Sequence, residues 1–376
     1  KMNIAINTRF LLSHKMEGFG WFTFEVAKRI VEQHPEHNFF FFFDRPYAIK
    51  FVFADNVTPV VLNPPARHPI LYKIWFDFSV SKALKKYNVD VFFSPDGYLS
   101  LKTKVKQIGV MHDLNFEHYP QDLPRSLRKY YKKYFPLFAK KANHIITVSE
   151  FSKQDIIAQY GVDEHKITVA HNGGSDKFKP LSIIKQLEVK KGYTDNSDYF
   201  VYVGALHARK NTERLLQAFD QFKIATSSDL KLIIVGEKLF KSEKDTNDFE
   251  GLKHKNDVIF TGHLPIENVV EIVASAKGLL LVSYFEGFGI PLVEAMRCGT
   301  PVITSNVTSL PEVVGDCGLI VDPFKVNDIS QAMETLISDK ELQKSLSEKG
   351  LERSKLFSWQ KSSEIIWGVI EKLLTE

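Results

Sequence analysis

Short apolar runs alternate with amphipathic stretches along this chain: "NIAIN", "TFEVAKRIVEQH", "FFFFF", "SVSKALKKYN", "DVFFSP", "VKQIGVMHD", "SLRKYYKKYFPLFAKKA", "HIITVS", "EFSKQDIIAQYG" and "ITVAHN" follow one another. Continuous apolar runs suit strands buried on both faces, and strands alternating with helical stretches pair in parallel through crossover helices. The rhythm restarts after residues 180–196 with "YFVYVGA", "TERLLQAFDQF", "DVIFTG", "IENVVEIVASA", "GLLLVSY", "PLVEAMRCG", "TPVITSN" and "GLIVD". The sequence therefore predicts an α/β protein of two doubly wound, Rossmann-like domains over 1–180 and 196–356, joined by the polar "KFKPLSIIKQLEVKKGYTDNSD" and followed by a helical tail. A length of 376 residues, beyond the usual size of one core, agrees with two.

Charge is unevenly spread. Residues 1–180 hold 26 Lys+Arg against 17 Asp+Glu, a balance of +9, whereas residues 181–376 hold 23 against 28, a balance of −5. The excess points the first half toward something anionic, a membrane surface or charged acceptor, or else marks a solvated basic face. Nothing in it calls for nucleic acid. The two cysteines, Cys298 and Cys317, stand outside any metal-ligand pattern, which fits a reducing cytoplasm and no disulfide framework. "KMNIAINTRF" reads as a first buried strand rather than a leader. The Phe39–Phe43 run is far short of the roughly 20 apolar residues of a membrane span and reads as a buried parallel strand.

Candidate site residues lie at the carboxyl ends of the expected strands, where open α/β sheets bind ligands. Gly18 and Gly20 in "EGFGWFTFEVAK", with Asp44 after the phenylalanine run, mimic a nicotinamide-cofactor fingerprint. Thr23 stands where the third glycine belongs, and about ten residues separate the strand from Gly18, whereas the fingerprint's turn follows its strand directly. A glycine loop approaching a ligand remains. His112 and Asp113 end a strand, either as a capping pair or aimed at a substrate hydroxyl. Arg209 and Lys210 in "VGALHARKNTERLL" precede a helix with Asn211 or Thr212 as its cap; cations there oppose the helix dipole unless an anion such as diphosphate lies between. An ordinary solvated pair accounts for them equally well.

In "YFEGFGIPLVEAM" a glycine loop enters a helix N-terminus, an arrangement that suits phosphate, yet Glu286 and Glu294 flank it. Glu286 as a turn residue and Glu294 as a first-turn helix glutamate explain them singly. A nucleotide sugar explains them jointly: diphosphate for the backbone of Gly287 to Ile290 and for the two cations, and sugar hydroxyls for the carboxylates.

These residues make the chain resemble the retaining glycosyltransferases of family 4, glycosyl transferases group 1. The signature is Glu, seven residues, Glu in "EGFGIPLVE", followed by "AMRCGTPVITSN" and "LPEVVGDCGLIVDP", with "VGALHARKN", "VIFTGHL", "ITVSEFS" and "VAHNGGSDKFKP" in the family's order. "VMHD", "YPQDLPRSLRKYYKKYFPLFAKKANHIITVSEFSKQDI" and "ARKN" are similar to its bacterial mannosyltransferases. The resemblance implies the GT-B fold, two Rossmann-like domains facing across a cleft, with the acceptor in the first, the donor in the second, and a final helix over 357–376 crossing back onto the first. It implies that Glu294 holds the donor ribose and Glu286 contacts the transferred sugar. Backbone N–H groups of Phe288, Gly289 and Ile290, beside Gly287, would meet sugar and phosphates. Arg209 and Lys210 would neutralise the leaving diphosphate. Gly18 and Gly20 would close over the donor, His112 would touch donor sugar or acceptor, and His263 in "TGHL" would line the base. Gly204 is followed by Ala205 where many members carry arginine, a place that Arg209 fills from four residues on.

The implied enzyme moves a hexose, mannose from GDP-mannose, onto a glycan or lipid-linked glycan, without metal or other cofactor. A UDP-hexose enzyme and a non-catalytic sugar-nucleotide-binding module are the alternatives. The basic stretch 125–141 either touches the inner face of a membrane or covers an aromatic core with snorkelling lysines.

Overall fold

The computed structural model describes residues 1–14, 16–236 and 243–375, with residues 243–245 described by backbone alone. It divides into two compact units, Lys1–Asn172 with Ser358–Glu376, and Gly173–Phe357.

The first unit holds seven strands: β1 (Asn3–Asn7), β2 (Asn38–Phe43), β3 (Val57–Val61), β4 (Val91–Ser94), β5 (Lys106–Val110), β6 (His144–Thr147) and β7 (Ile167–Val169). They run parallel in the order β3-β2-β1-β4-β5-β6-β7. Phe39, Phe41, Phe42 and Phe43 are buried, because β2 is paired on both edges and covered on both faces; Phe40 is partly buried and stacks on Tyr87. β3, which the apolar rhythm did not reveal, is an edge strand, the place where Pro59 costs no ladder hydrogen bond. A helix also begins well before "SVSKALKKYN". It runs from Pro69 through a π-helical turn, Trp75–Val80, to Lys86. Pro69 at its first turn pre-sets the backbone, and the aromatic-rich composition hid its period.

The second unit holds β8 (Tyr199–Val203), β9 (Lys231–Val235), β10 (Val258–Gly262), β11 (Gly278–Leu281), β12 (Val302–Ser305) and β13 (Gly318–Val321), parallel in the order β10-β9-β8-β11-β12-β13. Residues 173–180, read from sequence as the end of the first domain, belong to this unit. Asp176 pairs with Arg297 at 2.6 Å and Lys177 with Glu267 at 2.7 Å. The expected polar join is a helix here, Ile183–Thr194, capped by Ser182 and tied by Lys185 to Glu271 at 3.1 Å.

The final helix, Trp359–Thr375, lies on the Gly18–Gln33 helix of the first unit. Trp359 meets Phe22 edge to face, and Trp367 stacks on His34 with 3.6 Å between ring centroids.

Candidate active site

In each sheet the chain winds outward both ways from one place, between β1 and β4 in the first unit and between β8 and β11 in the second. Such switch points leave a crevice at the carboxyl ends of the strands, where doubly wound folds bind ligands. The switch point of the second unit gathers most of the residues singled out from sequence.

β8 ends at Gly204, and the loop beyond it carries Arg209 and Lys210. β11 ends at Leu281, and Glu286 lies five residues on. Asn211 joins the two loops. It occupies the N-cap position of the Thr212–Thr226 helix, but its side chain does not cap. Its amide donates instead to the carbonyls of Val282, at 2.9 Å, and Pro323, at 2.7 Å. The Tyr284 N–H also donates to the Arg209 carbonyl at 3.0 Å. These bonds bring the cations onto the glycine loop from 76 residues away: Lys210 Nζ reaches Glu286 Oε1 at 2.5 Å, and Arg209 Nη1 reaches Oε2 at 2.8 Å. Ser283 Oγ donates to the same carboxylate at 2.7 Å.

Burial by itself would raise the pKa of Glu286. The charges of Lys210 and Arg209, with hydrogen bonds from Lys210 and Ser283, outweigh burial and hold it down at about 2. The carboxylate expected to face a sugar is therefore ionised and committed to both cations expected to face phosphate.

Beyond Glu286 the loop is propped by residues the sequence did not single out. Thr308 Oγ1 accepts from the Glu286 N–H at 3.3 Å, and Ser309 Oγ lies within donating reach of the carbonyls of Glu286, at 2.9 Å, and Phe288, at 3.2 Å. Both stand in "SNVTSLP" after β12, a polar turn that showed a loop but gave no hint of its target. Gly289 has φ +101°, and a β-carbon there would sit 2.9 Å from Leu310, so this turn into the Ile290–Arg297 helix favours glycine on both counts. Among the described residues, the N–H groups of Gly287, Gly289 and Ile290 have no protein acceptor. They are the orphan donors of a helix entrance, suited to an anion.

Glu294 is in the second turn of that helix, not the first, so the dipole explanation offered from sequence does not apply. It accepts from the Ser175 backbone and lies near Arg297, yet burial dominates and pushes its pKa up to about 8. Ser175 belongs to the segment 173–180, whose place in this unit the strand rhythm did not reveal. His263 follows β10 at the edge of the sheet, two strands from the switch point.

The first unit's switch point has its own cluster. Asn7 donates to Ser94 Oγ at 3.0 Å, and Arg9 donates to Asp96 at 2.6 Å, both side chains nearly closed to solvent. Beside it His112 donates from Nε2 to the Pro95 carbonyl at 2.7 Å, which leaves Nδ1 as the acceptor of the neutral ring. Burial lowers the His112 pKa against the opposing effects of that carbonyl and of Asp113 and Asp96, so the ring is neutral at neutral pH. Asp113 takes the Asn115 N–H at 2.9 Å, a local turn bond. His112 is flanked by Phe19 and Phe22, on the helix that begins at Gly18. A β-carbon on Gly20 would lie 2.6 Å from the Phe10 carbonyl, so glycine is what lets this helix start against the loop after β1. The sequence brought Gly18, Gly20 and His112 to notice; it missed Arg9 and Asp96, whose only local signal was the turn "SPDG".

Two doubly wound units with the last helix returned to the first make a two-domain GT-B fold. Residues 16–175 match Glycosyltransferase Family 4 and residues 184–353 match Glycosyl transferases group 1. The chain is 30% identical over 298 residues to the O-antigen chain mannosyltransferase B of Escherichia coli, covering 78% of each. It is 26% identical over 270 residues to the serotype-specific mannosyltransferase WbdA of the same species, covering 69% of this chain but only 32% of that protein. A crystal structure of Anabaena HepE in complex with UDP-glucose superposes with a TM-score of 0.76 at 19% identity, covering 99% of this chain and 100% of that one. The chain belongs to the family 4 glycosyltransferases and is similar to the family's mannosyltransferases.

Proposed function

We propose that this glycosyltransferase transfers mannose from GDP-mannose, with retention of configuration, to a glycan or lipid-linked glycan in the cytoplasm. The first unit takes the acceptor and the second the nucleotide sugar. One observation carries the donor assignment: Arg209, Lys210 and the orphan N–H groups of the 287–290 loop converge on the β8/β11 switch point. Glu294 accepts the ribose hydroxyls and His263 lies along the base. Similarity to mannosyltransferases over most of the chain favours mannose.

Breaking the bond from sugar C1 to the diphosphate oxygen develops negative charge on that oxygen and oxocarbenium character on the sugar. Fixed cations and N–H groups stabilise the first directly. The acceptor oxygen bonds to C1 on the face the phosphate leaves, and the departing phosphate takes the acceptor's proton. The chain's own cations do the work a metal would otherwise do. Because Glu286 already occupies them, diphosphate has to displace its carboxylate. The displaced carboxylate then faces the sugar, so one residue is counter-ion in the free enzyme and sugar contact in the complex.

Thermal-shift measurements with GDP-, UDP- and ADP-sugars test the donor, since a bound ligand raises the melting temperature with occupancy. GDP-mannose is expected to raise it most. A shift with UDP-glucose alone overturns the donor assignment, and tight nucleotide binding without turnover on any acceptor favours a non-catalytic binding module.

A further inference from the structure

The ion pair Arg9–Asp96 lies at the switch point of the first unit and has no part in the chemistry proposed above. Its side chains are only 3% and 2% exposed. The Arg9 guanidinium sits among four rings, 4.2 Å from the centroid of Tyr98, 4.7 Å from Phe10, 5.1 Å from Tyr72 and 5.3 Å from Phe76. Taking two charges out of water costs about what their attraction returns, and apolar residues of similar volume often serve a core as well. Arg9 Nη2 is also buried with no hydrogen-bond partner, a further cost that stability does not explain. The pair calls for a role other than holding the core together.

What it holds is a turn. Asp96 Oδ2 accepts from Arg9 Nε at 2.6 Å, while Oδ1 accepts from the Tyr98 N–H and from Ser94 Oγ, each at 3.1 Å. The Gly97 N–H closes the turn on the Ser94 carbonyl at 3.2 Å. These bonds bracket the Pro95–Asp96 peptide, and the Pro95 carbonyl is the group that takes His112 Nε2. Arg9 follows β1 and Asp96 follows β4, two paired strands, so the pair fixes that carbonyl against both strand ends. His112 follows β5, the next strand across. Its backbone is held separately, by Ser152 Oγ donating to the His112 carbonyl at 3.2 Å. The turn therefore acts on the ring: on its rotation and on which nitrogen carries the proton.

We propose that Arg9 and Asp96 are positioning residues for His112, holding the Pro95 carbonyl where it fixes the ring as the Nε2–H tautomer and leaves Nδ1 to accept a sugar hydroxyl. A ring protonated on Nδ1 instead would donate where an acceptor is needed. The inference rests on the reading that His112 touches the reacting sugars.

The test uses the full chain with nitrogen-15-labelled histidine, the His112 signals being assigned by their loss in His112→Gln. The wild-type ring should show a protonated Nε2 and an unprotonated Nδ1; the reverse overturns the proposal. Removing both charges together strands neither of them, so the double variants should fold. In Arg9→Met/Asp96→Leu both ring shifts should move toward averaged values. Turnover should fall about ten- to a hundredfold, as for a reacting group displaced by about an ångström, with GDP affinity unchanged. Arg9→Met/Asp96→Asn keeps an Oδ1 for Ser94 and Tyr98 and should restore most of both the shifts and the turnover. Ordinary turnover in His112→Gln ends the reading on which the inference rests, whereas the ring shifts judge the positioning by themselves. Unchanged shifts in the leucine variant overturn it. So does an asparagine variant as impaired as the leucine one, which would trace the loss to the missing charge rather than to the turn.

Discussion

Glu286 stands in the glycine loop and Glu294 in the second turn of the helix that the loop enters, and burial acts on both, yet they come out in opposite protonation states. Glu286 has two cations and a hydroxyl and is held at about 2; Glu294 has one backbone donor and a nearby arginine and is pushed up to about 8. Partners, not burial, separate them. A carboxylate with cations in hand can be exchanged for another anion, whereas a protonated one waits for donors that favour its charged form.

The largest effect that bears on this contrast is expected from Lys210→Ala. Turnover should fall by about a hundred- to a thousandfold, as for the loss of one fixed group facing a developing oxyanion. The protein should also melt earlier, because Glu286 stays buried with one cation fewer. Steady-state kinetics with calorimetry reads both, and a variant with ordinary turnover would remove the cations from the mechanism.

Glu294→Ala comes next. Nucleotide affinity should drop about ten- to a hundredfold, the worth of hydrogen bonds to a charged acceptor, while turnover at saturation changes little. Glu286→Gln should behave in the opposite sense: turnover falls, but GDP binds about tenfold more tightly, because no carboxylate competes for Arg209 and Lys210. Isothermal titration of both variants decides whether the two acids divide their labour; equal losses in binding and turnover would end the distinction.

The smallest effect is protonic. In the proposed complex the ribose hydroxyls would favour the ionised form of Glu294, so nucleotide binding at about pH 7 should release up to about one proton. Affinity should rise with pH to about 8 and then level off, and Glu294→Gln should abolish both. Glu286, ionised down to about 2, adds nothing in that range. For folding the signs are likewise opposed. Glu286 contributes stability above its unfolded value of about 4.5 that is lost as pH falls toward about 2, while Glu294 costs stability as pH rises from about 4.5 toward about 8.

Much of this molecule was legible in the chain. Period and apolar runs marked most of the strands, and the glycine loop, the Arg209–Lys210 pair and His112 all lie past strand ends. Local chemistry dictates such features. The helix from Pro69 escaped because its π turn breaks the period, and β3 escaped because it is a short edge strand holding a proline. Arg9 and Asp96 escaped because their bond spans 87 residues.

The sequence by itself determined the α/β class, the family and the order of its motifs, since these depend on residue type and spacing along the chain. Only the tertiary structure decided which acid carries charge. A carboxyl group's pKa answers to desolvation and to charges within a few ångströms, and for Glu286 those charges come from 76 and 77 residues away.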